Sequence, residues 1–187
     1  MARLLAVDPQ CPAPAVLAEA LAVLRRGGVV AYPTDTVYGL AVDAMRPDAI
    51  ARLYMVKGRP ESKALPVIIG TLPQLAAVVA TVPALAERLM AAFWPGPLTL
   101  LLPPHPCVPA ALLGDSDRIG VRWPASTLSQ QLAMGLGGAI TASSANRSGA
   151  PAALTAADVM VQNMFARDAE EGIGAFVEKR QPKWYDC

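Results

Sequence analysis

Short apolar runs that alternate with helix-like segments constrain the fold of this chain more than any other feature. Strand-like runs, most of them bounded by glycine, proline or a charged residue, are predicted at residues 29–32, 40–42, 65–69, 98–102, 119–122 and 139–142. Segments with apolar residues at helical spacing are predicted at residues 15–26, 47–57, 72–80, 83–93, 125–136 and 156–165. Because strands and helices alternate, the order predicts an α/β layered domain. Ligands in such folds bind where strands end and loops begin.

The composition is that of one globular domain. The chain has 187 residues, of which 53% are hydrophobic and 17% are charged. These values exclude a disordered or coiled-coil protein and predict a single domain over residues 1–187. The formal net charge is only +1. Whole-chain charge therefore does not indicate nucleic-acid binding, and any anion site must be local.

Cysteine and histidine are few and widely separated. The cysteines are Cys11, Cys107 and Cys187, and the one histidine, His105, lies in a proline-rich loop. This pattern argues against a zinc site and against a Ser-His-Asp triad, so we expect no metal-binding residues and free thiols in a reducing cytosol. We see neither a signal-peptide pattern nor an apolar run of about 18 residues, so we expect a cytoplasmic protein with no membrane span.

Four polar segments follow the ends of predicted strands or helices. They are residues 33–39, residues 57–59, Arg122 and residues 143–149. If the sheet gathers these ends, they surround one cleft.

Each polar segment also has an ordinary structural interpretation. Lys57, Arg59 and Lys63 suit either a solvated helix end or the binding of phosphate or carboxylate. The serine-rich segment 143–149 is either a polar turn or a cradle for phosphate oxygens, and the hydroxyls of segment 33–39 suit a capped turn as well as a ligand. Together they favour an anion-binding cleft without an obvious nucleophile, in which chemistry proceeds by positioning and charge neutralisation.

Five stretches in order carry a family resemblance. They are GGVVAYPTDTVYGLAVDA, KGRPESKALPVII, FWPGPLTLLLP, IGVRWPA and ITASSANRSGAP, and they span Gly27 to Pro151. In this order and spacing they resemble the YrdC/TsaC family of threonylcarbamoyl-AMP synthases, of the short single-domain type. The resemblance implies a YrdC-like twisted mixed β-sheet flanked by helices, with a concave basic cleft.

The resemblance also implies an activity. Members of this family are nucleotidyltransferases that condense L-threonine, bicarbonate and ATP into threonylcarbamoyl-AMP and release pyrophosphate. Magnesium accompanies the ATP, which is a substrate. Separate tRNA threonylcarbamoyl-transfer proteins then use the product to modify an adenosine of tRNA, and tRNA or double-stranded RNA is a further partner that the resemblance suggests.

Residue roles follow from matching the family motifs. The residues that would hold ATP and the adenylate come from the KxR motif, the SxN motif, the lysine after KxR and the threonine of GPLT. They are Lys57, Arg59, Lys63, Thr99, Ser144 and Asn146. Lys57 and Arg59 would be the catalytic pair. Threonine would be held by Thr34, Tyr38 and Arg122.

The C-terminal part departs from the family pattern. Residues 172–187, GIGAFVEKRQPKWYDC, lack the expected strand with Ser-Thr, and the tail after about residue 167 is atypical. Closure of the site from that side is therefore in question. Two alternatives stay open: a non-catalytic RNA-binding factor in tRNA or ribosome maturation, whose binding should weaken steeply with salt, and a relative that adenylates another carbamoyl substrate.

Overall fold

A computed structural model describes residues 3–34 and 37–159. Five α-helices lie wholly within these residues, namely α1 Pro14–Arg25, α2 Pro47–Lys57, α3 Ala84–Phe93, α4 Ala110–Leu113 and α5 Thr127–Leu136. The strands are β1 Val30–Tyr32, β2 Gly39–Ala41, β3 Val67–Ile68, β4 Leu100–Leu102, β5 Ile119–Arg122, β6 Ile140–Thr141 and β7 Ser143–Ser144. The alternation of strands and helices confirms the predicted α/β class.

The strands form two sheets rather than one. The first is antiparallel with the order β1-β2-β7, and the second is mixed with the order β4-β5-β3-β6. In the mixed sheet β3 runs parallel to β5, while β4 and β6 run antiparallel to their neighbours. A single residue, Ala142, separates β6 from β7, so the chain passes directly from the mixed sheet to the antiparallel one. This passage ties the serine-rich segment to both sheets.

Two hydrophobic clusters cover opposite faces of the mixed sheet. The period of two along a strand sends Val67 and Val121 into the larger cluster, which also contains Ile50 and Leu53 of α2. Ile68 points the other way, into the smaller cluster that α1 and α5 cover. The short strands are thus held between helices, which gives the sheet rigid ends.

Proline and glycine set the limits of α2, as the sequence predicts. Pro47 begins the helix, and its missing N–H costs nothing in the first turn. Gly58 follows the last residue with φ 55° and ψ 37°, a left-handed conformation in which its N–H bonds to Met55 O. The helix therefore stops at Lys57, which fixes where the basic segment starts.

The structure corrects two local predictions. Residues 72–80 were predicted as an α-helix, but Leu72–Ala77 is a 3-10 helix, since the segment is short and Pro73 lacks a donor. Segment 143–149 was predicted as a loop, but its first two residues form β7, paired with Gly39 and Leu40 of β2. Serine has low strand propensity, so only the neighbouring strand reveals this pairing.

The C-terminal predictions are only partly covered by the structure. Residues 156–159 are helical, and the Thr155 hydroxyl accepts the Asp158 N–H at 3.1 Å, which agrees with the predicted cap. The remainder of that helix and the atypical segment 172–187 lie outside the described residues. Within the described part of the chain, no helix is long and apolar enough to span a membrane.

Candidate active site

Lys57 is the centre of the candidate site, and its side chain is buried rather than solvated. The residue is 2% exposed, although it closes a surface helix. Its ammonium donates to the backbone oxygens of Ser144 and Asn146, the latter at 2.9 Å, and to Asn146 Oδ1 at 3.2 Å. An ammonium has three donors, so the loop at residues 144–146 can engage all of them.

The environment of Lys57 makes its charge costly. Burial is the main cause that lowers its pKa, and the nearby Arg59 guanidinium lowers it further, to about 8. An amine with this pKa is mostly charged at neutral pH but close to losing its proton. The site therefore contains a cation whose charge an arriving anion would stabilise.

The Ser144–Asn146 loop is built around the same lysine. Ser144 Oγ donates to Asn146 Oδ1 at 2.6 Å, and Asn146 Nδ2 donates to Ala150 O at 2.5 Å. The N–H of Ser148 returns to Lys57 O at 2.8 Å. The KxR and SxN motifs are thus one hydrogen-bonded unit, although nearly 90 residues separate them in the sequence.

The other two cations of the basic segment lie near its surface. Arg59 is half-buried and donates to the backbone oxygens of Lys63, at 3.3 Å, and Ala64, at 2.9 Å. The side chain of Lys63 is exposed, whereas its backbone is fixed by a β-bridge to Gly114 and by the Tyr54 hydroxyl, 2.9 Å from Lys63 O. The segment is therefore a rigid arch that presents Lys63 to solvent.

The predicted threonine-binding turn lies against the Ser144–Asn146 loop. The Thr34 hydroxyl donates to Val37 O at 2.6 Å and accepts the Val37 N–H at 3.2 Å. Tyr38 O accepts the Ala145 N–H at 2.7 Å, and the Tyr38 N–H donates to Ala153 O at 2.9 Å. The capped-turn interpretation is therefore correct for Thr34, and backbone bonds place the turn beside the SxN motif.

Tyr38 occupies a less open position than the sequence suggests. Its side chain is half-buried and packs against the larger hydrophobic cluster. Contact of its ring or hydroxyl with a ligand stays a prediction.

Thr99 and Arg122 form a second group at the other end of the mixed sheet. Arg122 ends β5 and donates from Nε to Gly96 O at 3.0 Å. Leu100 pairs with Val121, so extending this register places Thr99 opposite Arg122. Gly120 of β5 lies between Thr99 and Pro66, since a Cβ there would come within 3.2 Å of Pro66 Cβ and 3.4 Å of Thr99 Cγ2.

The two groups flank the two ends of β3. Arg122 is paired with Ile68 at the carboxyl end of this strand. Pro66, at its amino end, accepts the Ala142 N–H at 2.8 Å, just before Ser143 and Ser144. A ligand that contacts both groups must extend past the two-residue strand β3, which at about 3.3 Å per residue is about 7 Å long. That all four segments surround one cleft stays a prediction, in which the two groups would lie at opposite ends of β3.

The described residues include no cluster of three or more histidine, cysteine, aspartate or glutamate side chains that could hold a metal ion. Cations, hydroxyls and backbone groups are what this site offers. Such groups bind and polarise anions without forming covalent intermediates.

A protein-family model matches residues 22–169, which includes every residue of both groups. It is the Sua5/YciO/YrdC model, described as telomere recombination. The chain belongs to this family. The YrdC resemblance in the sequence is therefore confirmed.

Relatives and a solved structure agree with this assignment. A Halorhodospira halophila protein named threonylcarbamoyl-AMP synthase is 40% identical over 153 residues, which are 80% of each chain. A Pyrococcus abyssi protein of the same name is 41% identical, and the match covers 71% of this chain but 39% of the relative. The crystal structure of P. abyssi Sua5 complexed with L-threonine superposes with a TM-score of 0.79 at 37% identity, covering 81% of this chain and 45% of that one. The chain thus spans most of the length of the H. halophila relative but less than half of the length of the P. abyssi relatives.

Sequence reasoning missed two supporting residues. Tyr54 lies in the predicted helix 47–57 and was given no role, yet its hydroxyl lies 2.9 Å from both Lys63 O and Ala111 O. Gly114, whose φ is 54°, allows the bridge to Lys63, because a Cβ there would lie 2.4 Å from Ser62 O. The tyrosine among the aliphatic residues of α2 could have indicated a buried hydroxyl with a hydrogen-bond partner. No neighbouring residue in the sequence indicated the bridge at Gly114.

Proposed function

We propose that the chain is an L-threonylcarbamoyl-AMP synthase, which condenses L-threonine, bicarbonate and ATP and releases pyrophosphate. The observation that carries the proposal is the unit formed by Lys57, Ser144 and Asn146. It lies in a chain of the Sua5/YciO/YrdC family whose relatives bear this name. An arrangement of cations and hydroxyls without a nucleophile fits a reaction that proceeds by positioning and charge neutralisation.

The phosphates and the adenylate would bind at the basic arch and the SxN motif. Lys63 is exposed and can turn toward phosphate oxygens, while the half-buried Arg59 guanidinium has further N–H donors beside those that bond Lys63 O and Ala64 O. Lys57 would act indirectly: its ammonium holds the Ser144–Asn146 loop in place, and its positive charge would attract the phosphates from the opposite side of that loop. Asn146 would donate to the same oxygens through its second Nδ2 hydrogen, and the Ser144 hydroxyl would do so by leaving Asn146 Oδ1. Thr99 would line the far end of the nucleotide.

Threonine would bind between the two groups. Thr34 and Tyr38 lie in the turn that pairs with the SxN loop, and Arg122 lies at the carboxyl end of β3. A guanidinium suits the amino-acid carboxylate, since it forms two parallel hydrogen bonds. The solved P. abyssi relative contains L-threonine, which supports an amino-acid site in this fold.

The chemistry needs no protein nucleophile. The threonine amine attacks the bicarbonate carbon, water leaves, and a carbamate forms. A carbamate oxygen then attacks the α-phosphorus of ATP, and pyrophosphate leaves. Negative charge that builds on the phosphate oxygens is stabilised by the fixed cations. Magnesium would arrive on the phosphates of ATP and neutralise part of their charge, since Mg²⁺ at nucleotide sites is usually bound partly through substrate phosphates.

Downstream steps are expectations from the same proposal. The product would pass to tRNA threonylcarbamoyl-transfer proteins, and contact with tRNA or double-stranded RNA is a prediction that the sequence alone supports. A cytoplasmic location is proposed on the same ground.

The decisive experiment is product detection by mass spectrometry. The purified chain is incubated with ATP, Mg²⁺, L-threonine and bicarbonate, and threonylcarbamoyl-AMP and pyrophosphate are both quantified. We expect product only when all substrates are present. Arg59→Ala should lower the rate at least about tenfold, because it removes charge stabilisation from the transition state. Absence of product from folded protein, or product that is unchanged without threonine, would overturn the proposal.

A further inference from the structure

The proline-rich loop after β4 contains a thiol–imidazole pair that the proposed activity does not use. The loop is fixed to the segment that follows the 3-10 helix. His105 N–H donates to Val78 O at 3.0 Å, and the Ala80 N–H donates to Pro103 O at 3.0 Å. Within the loop, the Val108 N–H closes onto His105 O at 2.9 Å. These backbone bonds hold the two side chains of the pair in place.

The pair consists of Cys107 and His105. Cys107 Sγ lies 2.8 Å from His105 Nδ1, within hydrogen-bond reach for a nucleophile and its base. The backbone N–H of Cys107 also points to Nδ1, at 3.3 Å. An amide can only donate, so Nδ1 is an acceptor and the ring proton belongs on Nε2. In this tautomer Nδ1 can take the thiol proton.

The thiol proton has one competing acceptor. Ala77 O lies 3.5 Å from Cys107 Sγ, which is longer than the contact to Nδ1 by 0.7 Å. The shorter contact to a nitrogen base is the stronger one. The thiol itself is exposed and the imidazole is half-buried, so reagents can reach the sulfur.

Cys11 provides a matched comparison within the same chain. It is also exposed, and it also lies near a polar side chain. That side chain is the Asp8 carboxylate, which accepts the Cys11 N–H at 3.3 Å. His105 is the one histidine of the sequence and is already paired with Cys107, so Cys11 has no imidazole base.

We propose that Cys107 is a thiol-modification site that reacts with small-molecule disulfides, with His105 as its base. The thiol proton moves to Nδ1 as Sγ attacks one sulfur of the disulfide. The S–S bond of the reagent breaks while a mixed disulfide forms on Cys107. The leaving thiolate takes the proton from the imidazolium and departs as a thiol. The cysteine is oxidised to the disulfide level, and one half of the reagent is reduced.

The test compares the two thiols in one sample. In a Cys187→Ser background, the full chain is treated with oxidised glutathione, quenched with acid, and digested. Mass spectrometry of the peptides then gives a modification rate for each cysteine. We expect Cys107 to react about tenfold faster than Cys11, because a positioned base assists thiol attack.

His105→Asn separates the base from the hydrogen bond. The Asn oxygen can still accept the thiol hydrogen near the position of Nδ1, but it cannot take up the proton. We expect the Cys107 rate to fall to that of Cys11, while the Cys11 rate stays unchanged, and thermal unfolding checks that the variant is folded. His105→Gln gives a second reading if the first variant unfolds. Equal rates for the two thiols in the parent protein, or an undiminished Cys107 rate in a folded variant, would overturn the proposal.

Discussion

Replacing Lys57 with methionine tests whether this buried cation holds the site together. Methionine keeps most of the side-chain volume but removes the three donors that reach the 144–146 loop. Two of the three acceptors keep another donor, because Asn146 N–H reaches Ser144 O at 3.0 Å and Ser144 Oγ reaches Asn146 Oδ1 at 2.6 Å. Asn146 O is the acceptor that depends most on the ammonium.

The magnitude follows from these contacts. Asn146 is half-buried, so leaving its carbonyl without the ammonium costs about 1–2 kcal/mol, and weakening two shared acceptors costs about 1 kcal/mol more. Removing a buried charge returns part of this, since the pKa of Lys57 is lowered by burial. The expected net loss in the free energy of unfolding is about 2 kcal/mol, or a fall in Tm of roughly 6 °C for a chain of this size.

Urea and thermal unfolding at pH 7 measure the loss, with Lys63→Met as the matched control. Lys63 is a cation of the same segment, but its side chain is exposed, so its replacement should change the free energy of unfolding by less than about 0.5 kcal/mol. Equal stabilities for the two variants would refute the reasoning. Such a result would mean that the loop does not depend on the ammonium.

Three further predictions concern the same region. The stability difference between wild type and Lys57→Met should shift in favour of wild type as pH rises from about 8 toward 10.5. The reason is that the folded pKa of Lys57 is lowered to about 8, so in that window the unfolded chain binds the extra proton. Urea titrations at several pH values measure this shift, and a flat or falling difference contradicts it. Asn146→Asp keeps an oxygen for Lys57 but places a negative charge beside the proposed phosphates. In steady-state assays KM for ATP should therefore rise at least about tenfold, and by more than for Asn146→Ala. The reverse order of the two variants would argue against phosphate binding there. Gly114→Ala should destabilise the chain by more than about 2 kcal/mol, because its Cβ would lie 2.4 Å from Ser62 O. The control is Gly137→Ala, also at positive φ but with open space around it, which should cost about 1 kcal/mol. Equal unfolding midpoints for the two variants would exclude the clash.

Much of the element order could be predicted from local signals. Pro47 and Gly58 give the limits of α2, and the short run Ile-Gly-Val before Arg122 gives β5. The 3-10 helix and β7 could not be predicted in this way. Their conformations depend on Pro73 at the start of a short segment and on pairing with β2, and local propensity does not report such pairing.

The candidate site was predicted as a set of residues but not as an arrangement. The family resemblance identified Lys57, Arg59, Ser144 and Asn146 as belonging together. It could not show that the ammonium lies under the loop, since burial depends on contacts between segments nearly 90 residues apart. It also could not show that Arg122 lies at the far end of β3 from Ser144.

The sequence by itself determined the α/β class, the boundaries of α2 and the family, because these depend on local periodicity, on proline and glycine, and on motifs read in order. Tertiary structure alone decided that the serine-rich segment starts as a strand, that the two polar groups lie at opposite ends of β3, and that Lys57 is buried. Each of these depends on which strands pair and on what then covers the ammonium. Pairing and burial are properties of contacts across the chain, so no short stretch of residues contains them.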